Sequence, residues 1–218
     1  MTREGSRTRG RRVPVAPEGW PFILVPAAIA AGLAVTGRKT LALPFAAASV
    51  AALGFFRDPE REIPALQHAV LSPADGRVTE VGDAVDPFVG PAVRVAIFLS
   101  PLDVHVNRAP ISGLVVSAGY TPGRFVAAFR PGADEVNERC AISLQGENAR
   151  VTVVQIAGIA ARRIVCRVGP GDKLAAGERF GMIRFGSRTD CYMPKGTEVR
   201  VKPGDRVIGG VTVLGVLP

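Results

Sequence analysis

At 218 residues the chain is long enough for one domain with a proper core plus an appendage. Its net charge of +8 calls for an anionic partner, but aromatics at 6% and no basic–aromatic motif argue against a nucleic-acid binder. The three cysteines, Cys140, Cys166 and Cys191, have neither CxxC spacing nor a histidine nearby. That excludes a disulfide framework, argues against any metal site and suits reduced structural thiols facing the cytosol.

Residues 1–19 carry arginines at positions 3, 7, 9, 11 and 12 among Gly, Ser and Pro, and read as a disordered basic arm. Two apolar runs follow, Trp20–Thr36 and Leu41–Phe56, parted by Gly37-Arg38-Lys39-Thr40. Each is close to the lower end of the ~17–25 residues that cross a bilayer as a helix. A basic arm directly before apolar sequence suits an anionic membrane surface. The spacing therefore predicts an α-helical membrane hairpin over 20–56, spanning or dipping, with Trp20 at the interface. Arg3–Arg12 and Arg57–Arg61 then place it at the cell membrane with the remainder on the cytoplasmic face. The rival readings are a pair of Ala-rich helices packed on a soluble domain and a cleaved signal peptide. The second apolar run, arriving at once, argues against the signal peptide.

From Ala69 the pattern changes to short alternating strands between turns: 78–81, 93–99, 114–118, 150–156, 163–168, 181–185, 198–201 and 211–216. Pro122–Arg139 reads as a loop with some helix. A weak repeat joins VGPGDKLAAGERFGMI (168–183) to VKPGDRVIGGVTVLGV (201–216), each a strand, a Pro-Gly-Asp turn, a small-residue turn and a strand. This spacing resembles the biotinyl and lipoyl carrier domains. The expected fold class is therefore mainly β, a flattened barrel-sandwich domain over 57–218 behind the hairpin. Carrier domains present a Lys at a hairpin tip; here that region holds Gly186-Ser187.

A Gly-Ser bond in a strained turn is a place where a chain can cut itself. The hydroxyl attacks the preceding carbonyl, the amide becomes an ester, and β-elimination leaves a residue that hydrolyses to an N-terminal pyruvoyl group. Glycine before the bond tolerates the unusual φ/ψ such a turn requires. Activating the hydroxyl calls for a base, and often for a third group that orients the base. The chain has two histidines. His68 lies in a polar link, whereas His105 sits inside Ser100-Pro-Leu-Asp-Val-His105-Val-Asn-Arg-Ala-Pro110, directly after an apolar strand, and is the candidate base.

Four stretches carry a resemblance: FFRDPER (55–61), LSPADGRV (71–78), FLSPLDVHVNRAPISG (98–113) and RFGSR (184–188). With them in this order, the chain from about Phe55 to its C-terminus resembles the phosphatidylserine decarboxylase proenzyme family in its short form. The resemblance implies cleavage between Gly186 and Ser187 into chains 1–186 and 187–218. It implies a covalent pyruvoyl cofactor derived from Ser187, no metal, and a phospholipid substrate at the membrane. That ketone condenses with the substrate amine and takes up the electrons of the departing carboxylate.

The family also implies Asp75 as the orienting carboxylate of an Asp/His/Ser set, with His105 as the acid that reprotonates the α-carbon. Larger members carry a second His where this chain has Arg108, and an Arg cannot serve as a base. Asn107, Arg108 and Tyr192 are candidate headgroup contacts. Met182, Phe185 and Met193 are apolar enough to touch acyl chains, although core packing accounts for them better. The alternative from another class is a non-enzymatic, membrane-tethered sandwich-barrel adaptor or carrier, which lacks an acceptor Lys at its tip and predicts no self-cleavage.

Overall fold

The computed structural model describes residues 14–126, 136–158, 163–184 and 187–218. The arginines of the basic arm, the middle of Pro122–Arg139, Phe185 and Gly186 fall outside the described residues. Two compact units divide the chain, one ending at Glu60 and the other running over Arg61–Pro218.

In the first unit a short 3₁₀ turn, Pro17–Gly19, leads into helix α1 (Trp20–Val35), followed by α2 (Lys39–Phe55). The two apolar runs thus become two helices, and Lys39 and Thr40 belong to the second rather than to the turn. Gly37 reverses the chain with φ 77°, a conformation that suits glycine. The hairpin is closed from within by Ser49, whose hydroxyl donates to the carbonyl of Ile23 at 2.8 Å. At its base Ala16 N donates to Phe56 O at 2.8 Å, and the Phe22 and Phe56 rings stack at 5.4 Å. Ile23 is the only buried side chain of α1, while Leu24, Val25, Val35, Leu41, Leu43 and Val50 all face outward. Together with the preceding turn, α1 is long and apolar enough to cross a membrane; α2 is shorter.

The second unit is mainly β. Its strands are β1 (Ala69–Leu71), β2 (Gly76–Asp86), β3 (Gly90–Leu99), β4 (Val106–Arg108), β5 (Gly113–Thr121), β6 (Arg139–Gln145) and β7 (Arg150–Ala157). Then come β8 (Ile164–Cys166), β9 (Lys173–Leu174), β10 (Arg179–Ile183), β11 (Ser187–Pro194), β12 (Glu198–Val199), β13 (Arg206–Val207) and β14 (Val213–Val216). Eight of them make one curled antiparallel half-barrel sheet in the order β13-β2-β3-β11-β7-β6-β5-β9, and two three-stranded sheets, β1-β14-β12 and β4-β10-β8, complete the unit. Val95, Ile97, Ile142, Leu144, Val153, Phe180 and Leu214 lie in its continuous core.

The sequence repeat has a counterpart in the backbone. Gly171 and Gly204 open matching turns at φ 96° and 98°, and Gly177 and Gly210 close the next ones at 74° and 75°. In both copies the turn aspartate accepts from the backbone three residues earlier: Gly169 N to Asp172 at 2.8 Å, and Lys202 N to Asp205 at 2.9 Å. The first copy supplies edge strand β9 and central strand β10; the second supplies edge strand β13 and central strand β14.

Candidate active site

Strand β11, which periodicity did not find, carries the residue on which the sequence reading turns. Ser187 opens it, in register with Leu99 of β3 on one side and Ala157 of β7 on the other. It therefore begins a central strand rather than occupying a hairpin tip. Side chains alternate along a strand. Cys191 and Met193 point into the core, so Thr189 and Ser187 share that face, while Arg188, Asp190 and Tyr192 take the other. Ser187 is fully buried, and among the described residues its Oγ has no hydrogen-bond partner. Burying a lone hydroxyl costs on the order of 1–3 kcal/mol, and such orphans are rare enough to ask for a functional reason.

On the opposite face Arg188 grips Asp190 with both arms of its guanidinium, at 2.6 and 2.7 Å. Asp190 is completely buried, so this bidentate pair fixes the backbone immediately after Ser187.

His105, also fully buried, precedes β4. Its carbonyl accepts from Ile183 N at 3.2 Å, and β4 runs antiparallel to β10. Ser187 follows Ile183 by four residues, at most about 14 Å of extended chain. His105 Nδ1 lies 2.9 Å from the carbonyl oxygen of Asp103. A carbonyl only accepts, so Nδ1 carries a proton, and in the neutral ring Nε2 keeps the lone pair a base needs. Asp103 is itself anchored by the amide and hydroxyl of Ser100, at 2.8 and 2.7 Å, and by Arg206 at 2.8 Å. Partial burial works against its charge, but these donors outweigh that and hold the carboxyl below its ordinary value.

Asn107 shares the face of His105 by alternation. Its amide donates to Thr189 Oγ1 and to the carbonyl of Pro73, each at 3.3 Å, and its Oδ1 accepts from Gln155 Nε2 at 2.8 Å. Gln155 lies opposite Thr189 on β7, fully buried, and among the described residues its Oε1 has no partner. This polar chain ties β4, β7 and β11 together two residues from Ser187. Gln155 and Thr189 did not emerge from the sequence, although both left a mark: Gln155 is the one large polar residue in Val151-Thr-Val-Val-Gln-Ile-Ala157, and Thr189 stands one strand period from Ser187.

The other predicted residues are placed elsewhere. Asp75 is held by Arg61 through two bonds of 2.5 and 2.8 Å and accepts from Gly209 N at 2.8 Å, while the His105 ring is bonded to Asp103. The structure thus does not pair Asp75 with His105; the carboxylate instead braces the loop whose Pro73 carbonyl supports Asn107 and Arg108. Arg108 turns away from Asn107 and donates to Gly177 O at 3.0 Å. Tyr192 is on the far face from Ser187, beside Arg94. Met182 and Met193 are fully buried, as core packing requires. Among the described residues no three metal-ligating side chains gather.

Because both side chains of the Arg61–Asp75 pair are mostly buried, Asp75→Asn strands a cation while keeping an acceptor for Gly209. The expected loss is about 3 kcal/mol, read as a fall of roughly 10 °C in Tm.

A sequence profile described as Phosphatidylserine decarboxylase matches residues 50–215. The chain is also similar to three bacterial proteins named phosphatidylserine decarboxylase proenzyme. That of Symbiobacterium thermophilum is 48% identical over 95% of this chain and 98% of its own length. That of Nitrosomonas europaea is 46% identical over 92% and 94%. That of Burkholderia pseudomallei is 45% identical over 94% and 95%.

Proposed function

This chain belongs to the phosphatidylserine decarboxylase proenzyme family, a carboxy-lyase, and we propose that it builds its own pyruvoyl group from Ser187 by cutting the bond after Gly186. Membership sets aside the adaptor reading. The observation that carries the proposal is the Ser187 hydroxyl, buried at the first position of a central strand without a partner among the described residues.

The chemistry balances within the chain plus one water. Ser187 Oγ bonds to the carbonyl carbon of residue 186 as the C–N bond breaks, and the hydroxyl proton ends on the freed amine. The α-proton of residue 187 is then removed, the Cβ–O bond breaks, and chain 1–186 leaves as a carboxylate. Water replaces the nitrogen at the head of chain 187–218, releasing ammonia and leaving a ketone. His105 Nε2 is the proposed proton acceptor, since Nδ1 is committed to Asp103 O. Asp75 is proposed to act at one remove, through the Pro73 carbonyl that supports Asn107. Asn107, with Gln155, is the proposed polar wall of the site.

The residues present fit the group. Position 187 is fully buried, which keeps water from a reactive ketone. When formed, the pyruvoyl ketone supplies the electron sink for decarboxylation. His105 is proposed to hold the proton that the α-carbon then takes up, leaving phosphatidylethanolamine.

The substrate stays in the bilayer, and we place the hairpin of residues 20–56 there as well, behind the arm of residues 1–19, with 57–218 as the catalytic domain on the cytoplasmic face. The outward-facing apolar side chains of α1 and α2 support this. A carrier-like barrel sandwich is the closer description we propose for the β unit, on the matched turns of its two repeats. Intact-mass analysis of purified protein tests the whole reading. Fragments 1–186 and 187–218 are expected, the smaller with a blocked, carbonyl-bearing start. An unbroken chain in fully active enzyme refutes it.

A further inference from the structure

Glu138 is an anomaly that the chemistry above does not use. Ala157 N donates to its carbonyl at 2.9 Å, which extends the β6–β7 ladder one residue past the Arg139–Ile156 pair. Glu138 therefore stands opposite Ala157, whose other neighbour is Ser187. Adjacent strands lie ~4.8 Å apart, so Ser187 and Glu138 flank a row about 10 Å wide with only the Ala157 methyl between them.

The Glu138 side chain points to the same side as Ser187. Its Oε1 accepts from Ile164 N of β8 at 3.4 Å, and the next inward residue, Cys140, a free thiol, is hydrogen-bonded to the Cys166 thiol of the same strand. Gln155 is the diagonal neighbour of both Ser187 and Glu138, within reach for a long side chain.

Glu138 is only 7% exposed, yet among the described residues its carboxylate makes no ion pair. Its donors are neutral: the Ile164 amide and the Tyr120 hydroxyl. A carboxylate enclosed without a counter-charge is costly, and a cation supplied from outside offsets that cost. Beside it lies an orphan acceptor, Gln155 Oε1, on a side chain held in place by Asn107.

We propose that Glu138 and Gln155 form the subsite that holds the substrate's primary ammonium group beside residue 187. An ammonium offers three N–H donors: the carboxylate takes one with its charge, and Gln155 Oε1 takes another. One proton then passes from nitrogen to the Glu138 carboxylate, the N–H bond breaking as an O–H bond forms, which frees the amine lone pair. The subsite rejects a quaternary ammonium, which has no N–H to give. This inference rests on the reading of residue 187 as the source of an electrophilic carbonyl.

The test uses mature protein and two carbonyl reagents, followed by mass analysis of the small chain. Ethanolamine with cyanoborohydride is an ammonium at neutral pH; phenylhydrazine is uncharged. In Glu138→Gln, maturation and phenylhydrazine labelling are expected to match wild type, while ethanolamine labelling falls about tenfold or more. Gln155→Met should fall in the same direction by less. Unchanged ethanolamine labelling, or an equal fall with both reagents, overturns the subsite. In wild type, ethanolamine should protect against phenylhydrazine and choline should not; equal protection by choline also overturns it, whether or not any variant folds. If phenylhydrazine fails to label wild type, the electrophile itself is refuted.

Discussion

Ser187→Ala is expected to remain a single uncut chain with no detectable lipid decarboxylation, a loss of at least ~1,000-fold. The methyl side chain removes the only nucleophile that can convert the 186–187 amide to an ester. The fold should survive, because the lost hydroxyl makes no hydrogen bond among the described residues and its burial was unfavourable. The variant should therefore melt at or slightly above the wild-type temperature while being inert. Stability unchanged with activity gone separates chemistry from packing. A Ser187→Ala protein that still yields the 187–218 fragment, or still decarboxylates lipid, refutes the self-cleavage scheme.

His105→Asn is the second decisive substitution. An Asn amide nitrogen can take the place of Nδ1 and keep the bond to Asp103 O, but nothing replaces Nε2. The turn from Ser100 to His105 should stay in place while self-cleavage slows by ~100-fold or more, the usual contribution of a general base. Whatever matures should also turn over lipid more slowly. The measurement is the fraction cut against time by denaturing gel, then turnover per mature molecule. Wild-type rates of both in His105→Asn would move the proton duties to another group. A fall in cleavage alone would confine His105 to maturation.

The parts of this architecture legible in the sequence share one physical property: they are local. The two apolar runs became α1 and α2 with boundaries shifted by only a few residues. The Pro-Gly-Asp repeats appeared with the same pairs of positive-φ glycines. Strand β11 was missed because Ser187-Arg-Thr-Asp-Cys-Tyr192 has polar residues on both faces. On its inner face the polar side chains are satisfied by the chain Thr189–Asn107–Gln155, which joins three strands and is a tertiary fact. The site followed the same rule. Ser187 and His105 were visible because short motifs surround them, whereas Gln155 and Glu138 come near position 187 only through strand register. Asp75 shows the converse: its Pro-Ala-Asp-Gly motif was readable, but Arg61, which takes its carboxylate, gave no sign of doing so.

The position of β11 between β3 and β7 has a consequence for timing. On the proposed scheme, the segment that is severed is laid down in the middle of a finished sheet, flanked on both sides before its first bond is broken. A middle strand of that kind needs a partner on each side to satisfy its backbone. On that scheme β3 and β7 must both be in place around β11 before the reactive carbonyl exists, so a polypeptide in which they fail to assemble does not acquire it. Catalytic competence then serves as a certificate of correct folding, issued once per molecule and not revocable.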